Sequence, residues 1–268
     1  SPGGDFEIAG LGSNIGVIEV FGVLDEETGR KAIKQIDKWT ESSSIKAIVL
    51  HINSPGGGVA ISQEIYDAIK RAREEKPIVS SMASVAASGG YYIACATDRI
   101  IANPGTLTGS IGVIFQFHTF QKLMDKVGIN TETVKSGELK DVGSYSRSMT
   151  EKERLMLRSV VMDTYEQFVN IVAEGRGKEI DEIYPLADGS IYTGLQAYNL
   201  GLVDTLGGLN EAVEIAAELA DIEGKPKVVR PHKRKKISIF DMFGNINEIL
   251  NKSIETSISG PQLMYLYQ

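Results

Sequence analysis

The sequence contains one cysteine, Cys95, so the chain cannot form an internal disulfide or a Cys-based zinc site. Its three histidines are scattered and form no His-Glu-x-x-His motif, and we expect neither a metal ion nor a cofactor. No apolar run approaches the ~18 to 20 residues that a membrane-spanning helix needs. A net charge of −7 argues against general nucleic-acid binding, because neutralising phosphates requires a basic face.

An initiating methionine is also lacking, since the chain starts at Ser1. From this we expect a processed or engineered fragment from which an upstream signal or membrane anchor has been removed. What is present is ordinary for a globular protein: 42% of the residues are hydrophobic and 24% are charged. A length of 268 residues suits one large domain or two small ones.

Short β-rich runs alternate with amphipathic helical patterns, which predicts an α/β fold. The predicted strands are Ile15–Phe21, Lys46–Ile52, Pro77–Met82, Arg99–Ala102, Ile111–Phe115 and Thr131–Lys135. The predicted helices are Glu26–Trp39, Val59–Arg73, a helix from the Thr150–Glu153 capping box to about Glu174, Gly194–Asn199 and Leu209–Leu219.

Composition changes near Gly224, so we predict a main domain over 15–222 and a C-terminal arm over 223–268. The arm contains a basic stretch, Pro231–Lys236, and then apolar residues at helical spacing between Ile239 and Leu250. The basic stretch is either a solvated linker or part of an oligomerisation arm. The apolar end, Met264–Gln268, is substrate-like and could reach a cleft.

A glycine-rich turn, Asn53-Ser54-Pro55-Gly56-Gly57-Gly58, follows the predicted strand that ends at Ile52. Three successive glycines leave their backbone N–H groups unshielded, and such a turn before a helix can direct them at an oxyanion. The alternative is a purely structural turn. The Gly-Lys-Ser/Thr ending of a phosphate-binding loop is missing, which argues against nucleotide binding.

A serine flanked by small residues lies in Ala86-Ala87-Ser88-Gly89-Gly90-Tyr91-Tyr92, at a predicted strand-to-helix junction. Small neighbours would let a substrate backbone approach the Ser88 hydroxyl, and the N–H of Gly89 would lie beside the attacked carbonyl. The alternative is that Ser88 only caps the helix that follows. A third segment, Lys135–Asp141, contains Lys140, for which the alternative is an ordinary solvated lysine.

The segments that carry a resemblance occur in chain order between about Ile15 and Glu214: Ser54-Pro55-Gly56-Gly57, Ala87-Ser88-Gly89-Gly90-Tyr91-Tyr92, Thr106-Leu107-Thr108-Gly109-Ser110-Ile111-Gly112-Val113, Lys135-Ser136-Gly137-x-x-Lys140-Asp141, Asp188-Gly189-Ser190-Ile191-Tyr192-Thr193-Gly194 and Gly201-Leu202-Val203-Asp204. Together they resemble the bacterial signal peptide peptidase A family, in its short, single-domain form. Leu139 and His51 depart from the residues usual there, and neither belongs to the expected catalytic pair.

The resemblance implies a ClpP/crotonase-like spiral of ββα units, with Ser88 as nucleophile and Lys140 as general base. Gly57 and Gly89 would then form the oxyanion hole, with Gly56 as the substitute for Gly57, and Ser110 would orient the lysine amine unless it is only a turn residue. The resemblance also implies a membrane-attached, outward-facing enzyme that hydrolyses hydrophobic remnant signal peptides. Its assembly would be a ring- or dome-like homo-oligomer with active sites shared between subunits.

A serine–lysine mechanism places a physical demand on the lysine. The amine removes a proton from the serine hydroxyl only when it is uncharged, and the ordinary lysine pKa of about 10.4 leaves it charged near neutral pH. Burial disfavours the ammonium form, whereas a nearby carboxylate favours it. We therefore expect Glu138 and Asp141 to point away from the Lys140 amine.

Three other functions fit parts of the sequence. A Ser–His–Asp triad would use His118, although the aromatic segment Phe115–Phe120 is also typical of an interface. A crotonase-type acyl-CoA enzyme would use the same fold and backbone oxyanion hole without a covalent serine. A membrane scaffold without catalytic activity would use only the arm.

Overall fold

The computed structural model describes residues 14–231 and 264–266. These residues fall into two compact units, one comprising 14–114, 164–231 and 264–266 and the other comprising 115–163. The apolar segment from Ile239 to Leu250 and the basic stretch beyond Pro231 lie outside the described residues. The domain boundary between 222 and 223 therefore stays a prediction.

The described strands are β1 (Asn14–Phe21), β2 (Ile45–Ser54), β3 (Gly56–Gly58), β4 (Ile78–Ala87), β5 (Arg99–Ala102), β6 (Leu107–Gly109), β7 (Ile191–Thr193), β8 (Thr205–Leu206), β9 (Lys227–Val229) and β10 (Met264–Leu266). The described helices are α1 (Glu26–Glu41), α2 (Val59–Arg73), α3 (Gly89–Ala94), α4 (Gln121–Val127), α5 (Glu151–Arg176), α6 (Ile180–Ile183), α7 (Gly194–Asn199) and α8 (Leu209–Leu219), with a 3₁₀ turn at Tyr184–Leu186.

Eight of the described strands form one mainly parallel sheet in the order β7-β6-β4-β2-β1-β9, with β5 beside β4 and β8 beside β5. Strand β4 is long enough to pair first with β5 and then with β6 along the same edge. Its last residue, Ala87, lies opposite Gly109 at the end of β6. The end of β4 therefore brings the serine segment next to the Gly109–Ser110 turn.

Helices cover both faces of the sheet, which explains why the central strands are apolar almost throughout. On one face, side chains of β1, β2 and β4 pack under α1, α2 and α3 around the fully buried Trp39, Tyr91, Tyr92 and Phe168. On the other face, a smaller cluster that includes Val17 and Val49 packs against α8. This confirms the predicted α/β class.

The helix predictions were accurate: Val59–Arg73, Gly194–Asn199 and Leu209–Leu219 are observed with the predicted bounds. The capping box at the start of α5 is also present, because the Glu153 N–H donates to Thr150 Oγ1 at 3.3 Å and the Thr150 N–H donates to Glu153 Oε2 at 2.8 Å.

Two predicted strands are wrong. Residues 111–115 carry only an isolated bridge at Ile114, and residues 131–135 form no strand. A β-rich run becomes a strand only where a neighbouring strand completes its hydrogen bonds, and no described strand lies beside either run. Conversely, β4 continues five residues past the predicted end at Met82, because β6 pairs with its second half.

Candidate active site

Ser88 connects β4 to α3 in a strained conformation. Its φ of 53° lies in the left-handed region, which non-glycine residues rarely adopt. The residue is fully buried, and its Oγ has no hydrogen-bond partner among the described residues. A strained strand-to-helix turn that presents an unpartnered hydroxyl is the geometry of a nucleophile elbow.

Backbone contacts hold this turn in place. The Ser88 N–H donates to the carbonyl of Gly109 at 2.8 Å, and the Ser88 carbonyl accepts from the Tyr92 N–H at 2.9 Å. Every residue of α3 is buried. The Ser88 side chain makes no capping hydrogen bond to α3, which contradicts the alternative that this serine serves as a helix cap.

The glycine turn forms the short strand β3, which leads into α2. Leu24 forms two hydrogen bonds with one edge of β3. The Leu24 N–H donates to the Gly56 carbonyl at 2.8 Å, and the Gly58 N–H donates to the Leu24 carbonyl at 2.9 Å. Because backbone groups alternate in direction along a strand, Gly57 directs its N–H and carbonyl to the opposite edge. A Cβ on Gly57 would lie 2.2 Å from the Leu24 oxygen, so only glycine fits.

The two glycines predicted to bind an oxyanion lie side by side. A Cβ built on Gly89 would be 3.2 Å from the backbone nitrogen of Gly57. The N–H of Gly56 instead donates to Ser54 Oγ at 3.1 Å, so this donor is already occupied. The close approach of Gly57 and Gly89, next to Ser88, can supply two donors to an oxyanion.

Ser110 is the second strained serine of this unit, with a φ of 50° and 8% exposure. It follows Gly109, the residue whose carbonyl binds the Ser88 N–H, and its own N–H donates to the Ser190 carbonyl at 2.7 Å. The structure thus brings Ser110 next to the serine turn, together with the glycines of β3.

The edge of β3 that faces away from Leu24 is paired with β10. The two strands are antiparallel, with Met264 opposite Gly58, Tyr265 opposite Gly57 and Leu266 opposite Gly56. Addition of an extended segment to an exposed strand edge is a common mode of peptide recognition. The β3 edge beside Ser88 therefore accepts a peptide backbone.

Lys140 lies in the other unit, in a turn-rich segment where it is exposed. Its carboxylate neighbours bind other cations. Asp141 is contacted by Lys135 at 2.6 Å and by Arg147 at 2.7 Å, and Glu138 pairs with Lys152. Hydrogen bonds from Arg147 and then from Lys135 hold the pKa of Asp141 well below its ordinary value. The side chain of Lys140 makes no ion pair within the part of the chain that the structure describes.

Other nucleophile and base candidates have less support. His118 is exposed and lies in the unit of Lys140. Burial raises the pKa of Cys95 to about 12, so its thiol stays protonated and is a poor nucleophile.

Sequence reasoning missed Ser62, which supports the site from α2. Its Oγ donates to the Gly58 carbonyl at 2.8 Å and lies 2.8 Å from the position that a Cβ on Gly89 would occupy. Ser62 therefore packs between the two glycine segments. Ser62 could have been found from the sequence by its spacing, because it follows Gly58 by four residues, which is about one helical turn.

The chain is similar to known proteases. The model of peptidase family S49 matches residues 70–223, and the Clp protease model matches residues 13–106. A putative protease from Synechocystis is 42% identical over 77% of the chain and 74% of its own length. A putative signal peptide peptidase SppA from Enterococcus faecium is 40% identical over 68% of the chain, and a chloroplastic serine protease SPPA from Arabidopsis thaliana is 36% identical over 80%.

The chain spans 53% of the Enterococcus relative and 32% of the Arabidopsis one. The Clp protease match, together with the parallel-rich sheet, confirms the predicted ClpP/crotonase-like fold class. None of the helices in the described ranges is long and apolar enough to cross a membrane.

Proposed function

Because the chain belongs to peptidase family S49 and is a serine peptidase of the signal peptide peptidase A family, we propose that it is an endopeptidase for hydrophobic peptides that uses a Ser88–Lys140 dyad. One observation carries the proposal. Ser88 has a strained backbone and a buried, unpartnered hydroxyl, and it lies beside a glycine strand whose edge pairs with an extended chain segment.

The chemistry follows from the parts of the site. Uncharged Lys140 accepts the Ser88 proton as Oγ attacks the scissile carbonyl, and the lysine then gives that proton to the leaving amine. The N–H groups of Gly57 and Gly89 stabilise the oxyanion as negative charge develops. Ser110 orients the lysine amine. Water then hydrolyses the acyl-serine, with Lys140 again acting as the base.

The substrate backbone adds to the β3 edge as a strand, and apolar side chains beside it favour hydrophobic residues. Val59 at the start of α2 and Val85 near the end of β4 are half-buried next to the catalytic turns, which supports this preference. We propose remnant signal peptides as the physiological substrates. The enzyme would be attached to the membrane by an anchor outside this chain, with its catalytic domain outside the cytoplasm.

Of the alternatives, the acyl-CoA enzyme and the scaffold do not fit membership of a peptidase family. A triad with His118 differs from the dyad in a measurable way. Replacement of His118 by Asn should leave peptidase activity unchanged if Lys140 is the base, and should abolish it if histidine is.

The proposal is tested by replacing the dyad. We expect Ser88→Ala and Lys140→Ala each to abolish cleavage of a hydrophobic peptide while thermal unfolding stays cooperative. A serine-directed acylating probe should label the unmodified chain at Ser88 and fail to label Ser88→Ala. Substantial turnover by either purified variant would rule out the dyad.

A further inference from the structure

The proposed general base is followed directly in the chain by a carboxylate. A free carboxylate near a lysine stabilises the ammonium form, and an ammonium cannot accept the proton of the serine. Asp141 would therefore oppose catalysis by Lys140 if its charge were not compensated.

The charge of Asp141 is compensated by two cations, Arg147 and Lys135. Arg147 binds it in a bidentate manner, with Nε 3.0 Å from Oδ2 and Nη2 2.7 Å from Oδ1. Lys135 contacts Oδ1 at 2.6 Å and also donates to the Glu138 carbonyl at 3.0 Å. The paired, planar contact of Arg147 fixes the orientation of the Asp141 carboxylate as well as compensating its charge.

The same arginine joins this turn to the start of α5. Its Nη1 donates to Glu153 Oε2 at 2.9 Å, and the side chain of Glu153 is only 1% exposed. Glu153 also accepts from the Thr150 N–H at 2.8 Å, as part of the capping box. We name Lys135, Asp141, Arg147 and Glu153 the Arg147 cluster; its two cations and two carboxylates give a net charge of zero.

Other charged groups border the cluster within this unit. Asp125 on α4 lines a cavity of about 400 Å³ with Lys135, Asp141 and Arg147. Glu138 is neutralised by its pair with Lys152. Arg147 and Lys135 are therefore the cations that compensate Asp141, and of these two only Arg147 also binds Glu153.

We propose that Arg147 is a positioning residue for the peptidase reaction: it neutralises Asp141 and holds the turn that carries Lys140 to the start of α5, so that the Lys140 amine can be uncharged at working pH. The inference rests on the proposed role of Lys140 as the base. Arg147 itself touches neither the substrate nor the reacting atoms.

The test is the pH dependence of kcat/KM on a neutral hydrophobic peptide amide, because its acidic limb reports the base of the free enzyme. Arg147→Gln changes the net charge of the cluster to −1, Asp141→Asn changes it to +1, and the double variant restores zero. We expect the acidic limb to move to higher pH in Arg147→Gln, to lower pH in Asp141→Asn, and back to its original position in the double variant.

Each shift should be roughly 0.3 to 1 pH unit at low ionic strength, and smaller in high salt, because the change is one partly solvated charge that salt screens. Arg147→Lys keeps the charge and loses the bidentate contact, so the acidic limb of its kcat/KM profile should stay at the same pH while kcat falls. If Arg147→Gln fails to fold, Asp141→Asn and Arg147→Lys still carry the test.

Arg73→Gln is a matched control in the other unit. Arg73 binds Asp98 at 2.9 Å with side-chain exposures of 30% and 26%, similar to the 28% and 16% of Arg147 and Asp141. Its loss should lower stability without moving the acidic limb.

The outcomes separate the two proposals. Full activity of Lys140→Ala overturns the proposed function. If Lys140→Ala is inactive, two results overturn only the role of Arg147. One is an acidic limb that does not move with the net charge of the cluster, and the other is a limb that stays shifted in the double variant.

Discussion

At the scale of single residues, the site depends on backbone conformations that few side chains tolerate. Ser88 and Ser110 are two of three described non-glycine residues with positive φ, and both lie at the proposed site. Strain of this kind costs of order 1–3 kcal/mol per residue and persists only where surrounding contacts enforce it. The hydrogen bond from the Ser88 N–H to the Gly109 carbonyl and the buried α3 provide that enforcement.

Replacement of Gly57 by alanine tests whether β3 must approach Leu24 closely for the site to work. In Gly57→Ala the new Cβ would meet the Leu24 carbonyl at 2.2 Å, which must push β3 away from its position. We expect a loss of at least ~100-fold in kcat/KM, in the range found when one oxyanion donor is removed. The measurement is steady-state kinetics with a hydrophobic peptide.

Gly105→Ala is the control, because nothing lies within 4 Å of its Cβ position. It should retain normal activity. Equal activity of the Gly57 and Gly105 variants would show that β3 does not provide the oxyanion hole.

At the scale of elements, the start of α5 depends on a buried carboxylate. Hydrogen bonds from Arg147 and from the Thr150 N–H lower the pKa of Glu153 from 4.5 to about 2. Since the folded state holds the proton less tightly than the unfolded state does, the stabilisation is complete above about pH 4.5. It is lost as the pH falls towards 2.

Replacement of Glu153 by Gln should therefore flatten the pH dependence of the melting temperature between about pH 2 and 4.5 and lower the melting temperature at pH 7. Thermal unfolding followed by circular dichroism measures both effects. Glu151→Gln, on the same helix but with a 75% exposed carboxylate, should change the curve much less. Parallel curves for wild type and Glu153→Gln would contradict the assignment.

The pairing of β10 with β3 yields a second prediction at this scale. Because β10 occupies the edge that a substrate backbone needs, a chain ending at Gly260 should cleave small substrates faster than the full chain does. Tyr265→Pro, which removes the backbone donor opposite Gly57 and keeps the length, should have the same effect. Unchanged rates in both variants would mean that the tail is only a packing element.

At the scale of the whole molecule, a mixing experiment decides whether one chain provides both groups of the proposed dyad. In the ring- or dome-like homo-oligomer that the family resemblance implies, Ser88 and Lys140 of a given site would come from adjacent subunits. Mixing inactive Ser88→Ala and Lys140→Ala proteins under conditions of subunit exchange should then restore about one quarter of the wild-type activity, as random pairing across a ring interface requires.

Each variant alone, carried through the same exchange, serves as the control. Mixtures that stay inactive although mass spectrometry shows exchanged subunits would place both groups of each site in one chain.

The local sequence pattern was sufficient to predict much of the fold. The helices α2, α7 and α8 were predicted with their observed bounds, because helical patterns and the signals that end helices are encoded locally. The short strands β3 and β6 were missed, and residues 111–115 and 131–135 were wrongly predicted as strands. Strands depend on partners that are distant in sequence, and a short apolar run does not specify its partner.

For the site, the sequence alone determined which residues have suitable chemistry. These are a serine among small residues, glycines without shielding side chains, and a lysine in a segment that resembles the signal peptide peptidase A family. Only the tertiary structure decided that Ser88 is strained and unpartnered, that Gly57 and Gly89 lie side by side, and that Asp141 is neutralised by Lys135 and Arg147. The physical reason is that residue type and local spacing are properties of the chain, whereas strain, close approach and charge compensation arise from contacts between segments that only folding brings together.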